Sequence, residues 1–206
     1  LVNEYMRNPV RVALGSTLKP AETVELQAFE VAAAEKADVL RHLLYSEKGQ
    51  TLVFARTKRG AERIAKSLVR DGFTATMIHG DRTQSQRNNA LAGFDSGEYQ
   101  VLVATDLASR GIHVNEVAHV INYDLPNMAE DFIHRVGRTG RMGTRGMATT
   151  IVAGIEVTEL RQIERALKLR IERKQVGQNS FVPPPRNRAS ELASRTLTAL
   201  PGEIFT

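Results

Sequence analysis

Residues 134–146, HRVGRTGRMGTRG, place four arginines and four glycines in one short stretch that contains no acidic residue. A planar guanidinium can donate two parallel hydrogen bonds to phosphate oxygens, and glycine lets backbone and arginine approach a ligand closely. Apolar residues lead into this stretch at the helical spacing i, i+3, i+4 and i+7: Ala129, Phe132, Ile133 and Val136. On such a helix His134 and Arg138 project away from the apolar side, and the glycines should loosen the helix so that Arg141 lies on a turn. The pattern predicts a phosphate site built around Arg138 and Arg141.

Two other interpretations of the arginine-rich stretch stay open at this point. It could be a disordered tract that contacts nucleic acid without a fixed shape, although the helix pattern before it and the strand pattern after it disfavour this. Its arginines could also pair with acidic residues elsewhere in the fold. In that case the positive charge would stabilise the fold and bind no ligand.

Short runs rich in Val, Ile and Thr alternate with helical patterns along the chain, which is typical of βαβ units. Six strands are predicted, at residues 24–31, 51–55, 74–80, 101–105, 117–123 and 147–152. The predicted fold class is α/β, with three layers in which helices flank a mostly parallel central sheet. In such sheets ligands bind outside the carboxyl ends of the strands, so the loops after the strands are the candidate site.

Those loops carry hydroxyls, amides and arginines. They read ARTK after the second strand, HGDRTQSQR after the third, TDLASRGIH after the fourth and YDLPN after the fifth. Each has a structural explanation when taken alone, because Thr57 can cap a helix, Gly80 can form a turn and Gly111 can end a helix. Taken together, they line up polar groups along one edge of one sheet.

The composition is that of a globular protein, with 42% hydrophobic and 25% charged residues. The formal net charge of +5 is compatible with a polyanionic partner but does not require one. The absence of cysteine excludes a disulfide scaffold and thiolate zinc sites, and it fits a reducing compartment. No apolar run approaches the roughly 20 residues that cross a bilayer, so we expect a cytoplasmic protein with no membrane partner.

One domain with an extension at each end is expected from the 206 residues. Residues 1–22 should form a linker, residues 23–176 the domain, and residues 177–206, which include three consecutive prolines, a flexible tail. The chain begins without methionine, so we expect a piece of a longer protein.

Four ordered motifs resemble those of the DEAD-box RNA helicases. TLVFART (51–57) is similar to their fourth motif, VLVATDLASRGI (101–112) to their fifth, HRVGRTGR (134–141) to their sixth, and HGDRTQSQR (79–87) to the signature between the fourth and fifth. The resemblance is dense over residues 24–153, and within the family the chain is most similar to the bacterial RhlE-like branch. It implies the second of two RecA-like domains, which closes over ATP bound mainly by the first.

The resemblance assigns the arginine-rich motif to ATP. Arg138 and Arg141 would reach the γ-phosphate across a cleft between the two domains, with Arg141 as the arginine finger, and His134 would help couple the domains. Gly111 and His113 would lie near the ATP ribose. The sequence has no G-x-x-x-x-G-K-[ST] phosphate loop and no D-E-A-D motif, so the first RecA-like domain would hold most of the phosphates and Mg²⁺. The chain alone is therefore expected to be inactive.

His113 departs from the family pattern, which has aspartate at this position. A carboxylate accepts hydrogen bonds from ribose hydroxyls with a full negative charge, whereas a neutral imidazole offers one acceptor nitrogen and the protonated ring none. We expect weaker or more pH-sensitive nucleotide binding in the full enzyme. The alternative is a structural role for His113 as a cap or in packing.

The resemblance places RNA along the remaining loops. Five residues would grip phosphates and riboses of one strand: Thr57, Gly80, Gln84, Arg87 and Thr105. Arg56 and Arg110 are adjacent candidates. Contacts of this kind hold a strand without reading its sequence.

The implied function is that of the C-terminal half of an ATP-dependent RNA helicase, expected to be monomeric, in which cleft closure disrupts a short duplex locally. Two alternatives stay open: a stand-alone RNA-binding or scaffolding module that never hydrolyses ATP, and the corresponding domain of a related DNA helicase. His134 argues against the latter, because those relatives commonly begin this motif with glutamine. Arg161 and Arg165, late in the chain, are interpreted as a solvated helix face, with an RNA surface as the alternative.

Overall fold

The alternation of short apolar runs and amphipathic helices produces one seven-stranded sheet in a computed structural model of the chain. The structure describes residues 20, 23–47, 49–109, 117–140 and 143–175. The strands are β1 (Val24–Glu30), β2 (Thr51–Phe54), β3 (Ala75–Ile78), β4 (Val101–Ala104), β5 (His119–Asn122), β6 (Gly146–Val152) and β7 (Glu172–Lys174). Their order across the sheet is β3-β4-β2-β5-β6-β1-β7, and every pair of neighbours is parallel.

Helices cover both faces of this sheet. They are α1 (Lys36–Ser46), α2 (Lys58–Arg70), α3 (Gln84–Asp95), α4 (Asp106–Ser109), α5 (Ala129–Val136) and α6 (Glu156–Leu167), with a short 3-10 helix at Ala33–Glu35 before α1. Side chains of α1 and α2 share one buried apolar cluster with one face of the sheet, and those of α3, α5 and α6 share a second cluster with the other face. The predicted three-layer α/β fold is confirmed. Within the described ranges, no helix is both long and apolar enough to cross a bilayer.

The central strands are apolar on both faces because each face is covered. In β2, for example, Leu52 and Phe54 enter the α3/α5/α6 cluster and Val53 enters the α1/α2 cluster. The observed strands are mostly shorter than the predicted ones. After β3 the chain turns at once, with Arg82 N donating to His79 O at 3.1 Å, so the predicted strand 74–80 is limited to Ala75–Ile78. Residues lost from the carboxyl ends of β2, β3, β4 and β5 belong to the candidate loops.

The predicted domain boundaries stay predictions. Residues 1–19, 21–22 and 176–206 lie outside the described residues, and with them the expected linker and tail.

A buried polar group interrupts the core beneath α1 and α2. His119, at the start of β5, is 2% exposed, and its Nε2 lies 2.7 Å from Thr149 Oγ1, which also accepts a hydrogen bond from Gln27 Nε2 at 2.8 Å. His119 Nδ1 is buried with no hydrogen-bond partner among the described residues. Burial lowers the pKa of His119 from 6.5 to about 4, so the folded protein holds a neutral imidazole at neutral pH.

Stability should therefore fall as the pH drops from 7 to 5. In this window the unfolded chain protonates His119 and the folded chain does not, so acid favours unfolding. This stabilisation is complete above the pKa of His119 in the unfolded chain, and it is lost as the pH falls toward the lower pKa of His119 in the folded protein. We expect the free energy of unfolding, from urea titration, to drop by about 2 kcal/mol more in the natural protein than in a His119→Gln variant. Equal drops in the two proteins would contradict this. His79, whose pKa burial also lowers, is present in both and cancels from the comparison.

Candidate functional site

The carboxyl ends of β2, β3 and β4 lie side by side in the sheet and bring five of the predicted site residues to one part of its edge. Thr57, Gly80 and Thr105 follow these three strands, and Gln84 and Arg87 lie in the first turn of α3. Four other predicted site residues lie outside the described residues: Arg110, Gly111, His113 and Arg141.

The loops after β2 and β3 are tied to each other. Thr57 is the N-cap of α2, and its Oγ1 accepts a hydrogen bond from Gly60 N at 3.0 Å. The next residue, Lys58, donates from Nζ to Asp81 Oδ1, and this ammonium holds the pKa of the Asp81 carboxyl below its usual value. A Cβ at Gly80 would lie 3.3 Å from Lys58 Cε, so glycine leaves the lysine room to cross. Thr57 and Gly80 are thus held on neighbouring loops.

The start of α3 is fixed by a capping box, in which Gln86 N donates to Thr83 Oγ1 at 3.2 Å and Thr83 N donates to Gln86 Oε1 at 3.1 Å. Gln84 is exposed and donates from Nε2 to Asn88 Oδ1 at 2.9 Å. Arg87 Nη2 donates to Ala108 O at 3.1 Å and so ties α3 to α4, which follows Thr105. Arg87 therefore links the loops after β3 and β4.

Two guanidinium groups in this region keep a donor unused. The Nε atoms of Arg82 and Arg87 are shielded from solvent and have no hydrogen-bond acceptor among the described residues. A buried N–H without an acceptor is costly, and native structures nearly always supply one. The acceptors of these two groups are therefore not found among the described residues.

The most heavily engaged side chain at the edge is Arg135, which was not among the predicted site residues. It is 2% exposed and forms a bidentate pair with Asp106, at 2.6 Å from Nε to Oδ1 and 2.7 Å from Nη2 to Oδ2. Its Nη1 donates to Asn122 Oδ1 at 3.0 Å and to Asp124 O at 2.7 Å. The guanidinium carbon lies 4.9 Å from the ring centroid of Phe54. One arginine on α5 thus joins the carboxyl ends of β2, β4 and β5.

Arg135 separates two interpretations that the sequence left open. Arg135, one of the four arginines in residues 134–146, pairs with an acidic residue elsewhere in the fold, as the structural interpretation supposed. A signal in the sequence could have found it, because Arg135 follows Phe132 by three residues and so borders the buried side of α5. A charged residue in that place needs a counterion. Asp106 was a candidate for this role because it directly follows Thr105, in the loop after β4.

The turn after α5 presents the next arginine. The helix ends at Val136, so the expected loosening at Gly137 is confirmed. Arg138 is half-buried, and its carbonyl accepts a hydrogen bond from Val117 N at 3.3 Å. Thr139 Oγ1 donates to Val117 O at 2.6 Å. His134, one turn earlier, is exposed.

Gly140 ends the described part of this turn in a conformation that favours glycine. Its φ is +69°, and a Cβ there would lie 2.3 Å from Val24 Cγ2. Its carbonyl accepts a hydrogen bond from Thr23 Oγ1 at 2.7 Å. The backbone is therefore clamped against the start of β1 immediately before Arg141.

Arg56 faces away from the other predicted RNA residues. Its Nη2 donates to Leu125 O at 3.2 Å and to Glu156 Oε1 at 3.4 Å, and its backbone N–H donates to Asp124 Oδ2 at 2.9 Å. These partners lie after β5 and on α6, whereas Thr57 and Thr105 lie toward β4. The structure gives Arg56 an internal ion pair, and its contact with RNA stays a prediction.

Comparison with known proteins gives one consistent family. The family profile described as "Helicase conserved C-terminal domain" matches residues 35–143. The chain is 43% identical over 150 residues to "ATP-dependent RNA helicase vasa" of Drosophila melanogaster, which covers 73% of this chain and 23% of that protein. The chain therefore spans less than a quarter of that relative's length.

Solved structures agree with the sequence match. A DEAD box protein from the hyperthermophile Methanococcus jannaschii is 43% identical, with a TM-score of 0.71 over 74% of this chain and 42% of that one. Dbp5 of S. cerevisiae, in a structure bound to RNA and ADP BeF3, is 26% identical, with a TM-score of 0.74 over 93% of this chain and 50% of that one.

Proposed function

Because the chain belongs to the DEAD-box RNA helicases and is their RecA-like C-terminal domain, we propose that it supplies the arginine finger and part of the RNA-binding surface for ATP-driven unwinding of short RNA duplexes. The observation that carries this proposal is the gathering of the β2, β3 and β4 loops at the carboxyl edge of the sheet, where Arg135 joins three strand ends. The arginine-bearing turn is held at the opposite edge, beside the starts of β1 and β5. An edge held in this way presents its ligand-binding groups in a fixed arrangement.

RNA is proposed to lie along the loops after β2, β3 and β4. The hydroxyls and amides there can contact phosphates and riboses. Thr57, Gly80, Gln84, Arg87 and Thr105 form this surface, with Arg56 and Arg110 beside it. Since none of these contacts requires a particular base, the proposed binding is independent of sequence.

ATP is proposed to bind between this domain and a first RecA-like domain of the same protein. The residues present fit the phosphate end of the nucleotide, because Arg138 lies on a turn at the amino-terminal edge of the sheet and Arg141 follows the clamped Gly140. Gly111 and His113 are assigned to the ribose and His134 to coupling between domains. Mg²⁺ is assigned to the first domain, because the phosphate-loop and D-E-A-D motifs that hold it in such helicases do not occur in this sequence. Bound Mg²⁺ would neutralise charge on the phosphates.

In this mechanism Arg141 stabilises the negative charge that develops on the transferred phosphoryl group. Binding of ATP and RNA closes the cleft, closure bends one strand, and phosphate release reopens it. A monomer is sufficient for this cycle. Membership of the RhlE-like branch stays a prediction.

The proposal is tested by joining this chain to a first RecA-like domain that carries the phosphate loop and the D-E-A-D motif. We expect the two-domain protein to hydrolyse ATP at a rate that single-stranded RNA raises at least about tenfold, and either domain alone to show no stimulation. A short RNA duplex and a DNA duplex of the same sequence then serve as substrates for strand separation.

Each alternative has its own outcome. If the two-domain protein bound RNA but RNA did not stimulate ATP hydrolysis, the domain would be an RNA-binding or scaffolding module and not part of a helicase. If DNA rather than RNA stimulated ATP hydrolysis, and the DNA duplex rather than the RNA duplex was separated, the domain would belong to a DNA helicase.

A further inference from the structure

A groove of about 530 Å³ runs between α1 and α2 on the outer surface of the domain. Both helices run antiparallel to the strands, so the groove extends from Tyr123, after β5, to Asp71 at the far end of α2. It lies mainly on the helix layer and reaches the carboxyl edge of the sheet at Arg59 and Tyr123, near the loop that carries Thr57. The proposed function uses none of the residues that line it.

One wall of the groove carries a stripe of positive charge. Four exposed cations of α2 recur at i, i+4, i+7 and i+11, which places them in one line along the helix: Arg59, Arg63, Lys66 and Arg70. The line is about 16 Å long at 1.5 Å of rise per residue. We call these four residues the basic stripe.

Most of this charge is not neutralised within the fold. Arg59 and Arg63 form no ion pair with any described residue, and Lys66 lies 3.8 Å from Glu62 Oε2, a loose surface pair. By contrast, Arg41 on the facing wall of the groove is paired with both Asp38 and Asp71. The unpaired charge is therefore confined to the α2 side.

The floor of the groove is apolar. Its accessible apolar surface comes from the half-buried Ala37 and Tyr123, the latter the only aromatic residue in the described lining. Leu40, Ile64 and Leu68 lie beneath the stripe and are almost fully buried. A ligand that fills the groove must place apolar groups on the floor and negative charge on one wall. An amphipathic protein segment can do both.

A nucleic acid strand fits this groove less well. A polynucleotide has a phosphate at every unit and no apolar side chains, and single strands are usually bound by several aromatic rings on which bases stack. Here the carboxylates of Glu62 and Asp71 also face the groove and would repel an unbroken row of phosphates. A peptide can keep neutral residues beside those two carboxylates.

We propose that the groove between α1 and α2 binds an acidic amphipathic helix of a partner protein. The partner's carboxylates, three or four residues apart, pair with the basic stripe, and its leucine-like side chains cover the floor. The segment then packs as an additional helix on the outer layer. Docking there uses none of the residues to which ATP and RNA are assigned, so the partner can recruit the domain without replacing either ligand.

The test uses the full chain and a fluorescein-labelled synthetic peptide of about 16 residues, long enough to match the stripe. The peptide consists of Glu, Leu and Ala arranged so that Glu and Leu fall on adjacent helix faces, and a second peptide has the same composition in scrambled order. The groove variant is Arg63→Glu with Lys66→Glu. The matched control, Arg161→Glu with Arg165→Glu, makes the same charge change on exposed residues of α6, on the opposite side of the sheet.

Fluorescence anisotropy should show binding of the ordered peptide that weakens at least about tenfold in the groove variant and less than about twofold in the control. All four replaced residues are exposed, so thermal melting should be unchanged; Arg63→Gln, with an expected loss of about threefold, serves as a milder variant. Equal losses in groove and control variants, or equal binding of the scrambled peptide, would overturn the proposal. Loss of oligouridine binding with peptide binding intact would instead assign the groove to RNA.

Discussion

Replacing Arg141 with alanine in the two-domain protein is expected to lower RNA-stimulated ATP hydrolysis about 10³-fold and to leave most RNA binding intact. The physical reason is that the guanidinium acts on charge that appears only as the phosphoryl group is transferred, so its loss affects the rate far more than the binding of either substrate. The measurement is steady-state ATPase activity with saturating RNA, with RNA affinity measured in parallel by anisotropy.

Arg145→Ala is the matched control, because Arg145 belongs to the same basic stretch and is exposed. It should change the rate by less than about twofold. Arg141→Lys keeps the charge but lacks the planar fork, so it should recover little of the lost rate. Full ATPase activity of Arg141→Ala would show that Arg141 is not the arginine finger. If Arg138→Ala lost about 10³-fold in rate while Arg141→Ala did not, the role would belong to Arg138.

Replacing Asp106 with asparagine should cost about 3 kcal/mol of unfolding free energy, because the substitution leaves the buried charge of Arg135 without its counterion. Asp106 itself is about one-third exposed, whereas the Arg135 side chain is 2% exposed, so the arginine bears the penalty. The remaining partners of Arg135, Asn122 Oδ1 and Asp124 O, are neutral and cannot replace the carboxylate. Urea unfolding of the full chain at pH 7 measures the loss.

A surface pair provides the comparison. Glu172 lies 2.8 Å from Lys174, both side chains are largely exposed, and Glu172→Gln should cost less than about 0.5 kcal/mol. Combining Asp106→Asn with Arg135→Met removes the buried charge as well as its partner, so the double variant should lose clearly less than the sum of the two single losses. An Asp106→Asn protein as stable as Glu172→Gln would show that Arg135 does not depend on this carboxylate.

The layers and most strands could be predicted from the sequence because they follow from local periodicity. The run from Thr51 to Phe54 is apolar throughout, which marks a strand covered on both faces, and Thr57 is a helix cap by residue type alone. The end of α5 at Val136 was predictable because a glycine follows it. Each of these features depends on neighbours within a few residues.

The pairing of Arg135 with Asp106 could not be derived in the same way, because the two residues are 29 positions apart and meet only when β4 and α5 are in place. The direction of Arg56 is a similar case. Its position after β2 suggested the same loop surface as Thr57, but the carboxylate of Glu156, 100 positions later, draws the guanidinium toward α6. Side-chain direction at the sheet edge is decided by such distant partners, and residue type alone does not reveal them.

The place of β1 in the sheet has a consequence for how the protein is made. β1 is the first strand within the described residues, and its partners there are β6 and β7, so that Val24 meets Gly146 and Gln27 meets Glu172. During synthesis its backbone groups find no strand partner until more than a hundred further residues have left the ribosome. Contacts this distant in sequence slow folding, because the chain must close a long loop before it gains them. The start of the domain is therefore completed last, and any segment attached ahead of it stays untethered until then.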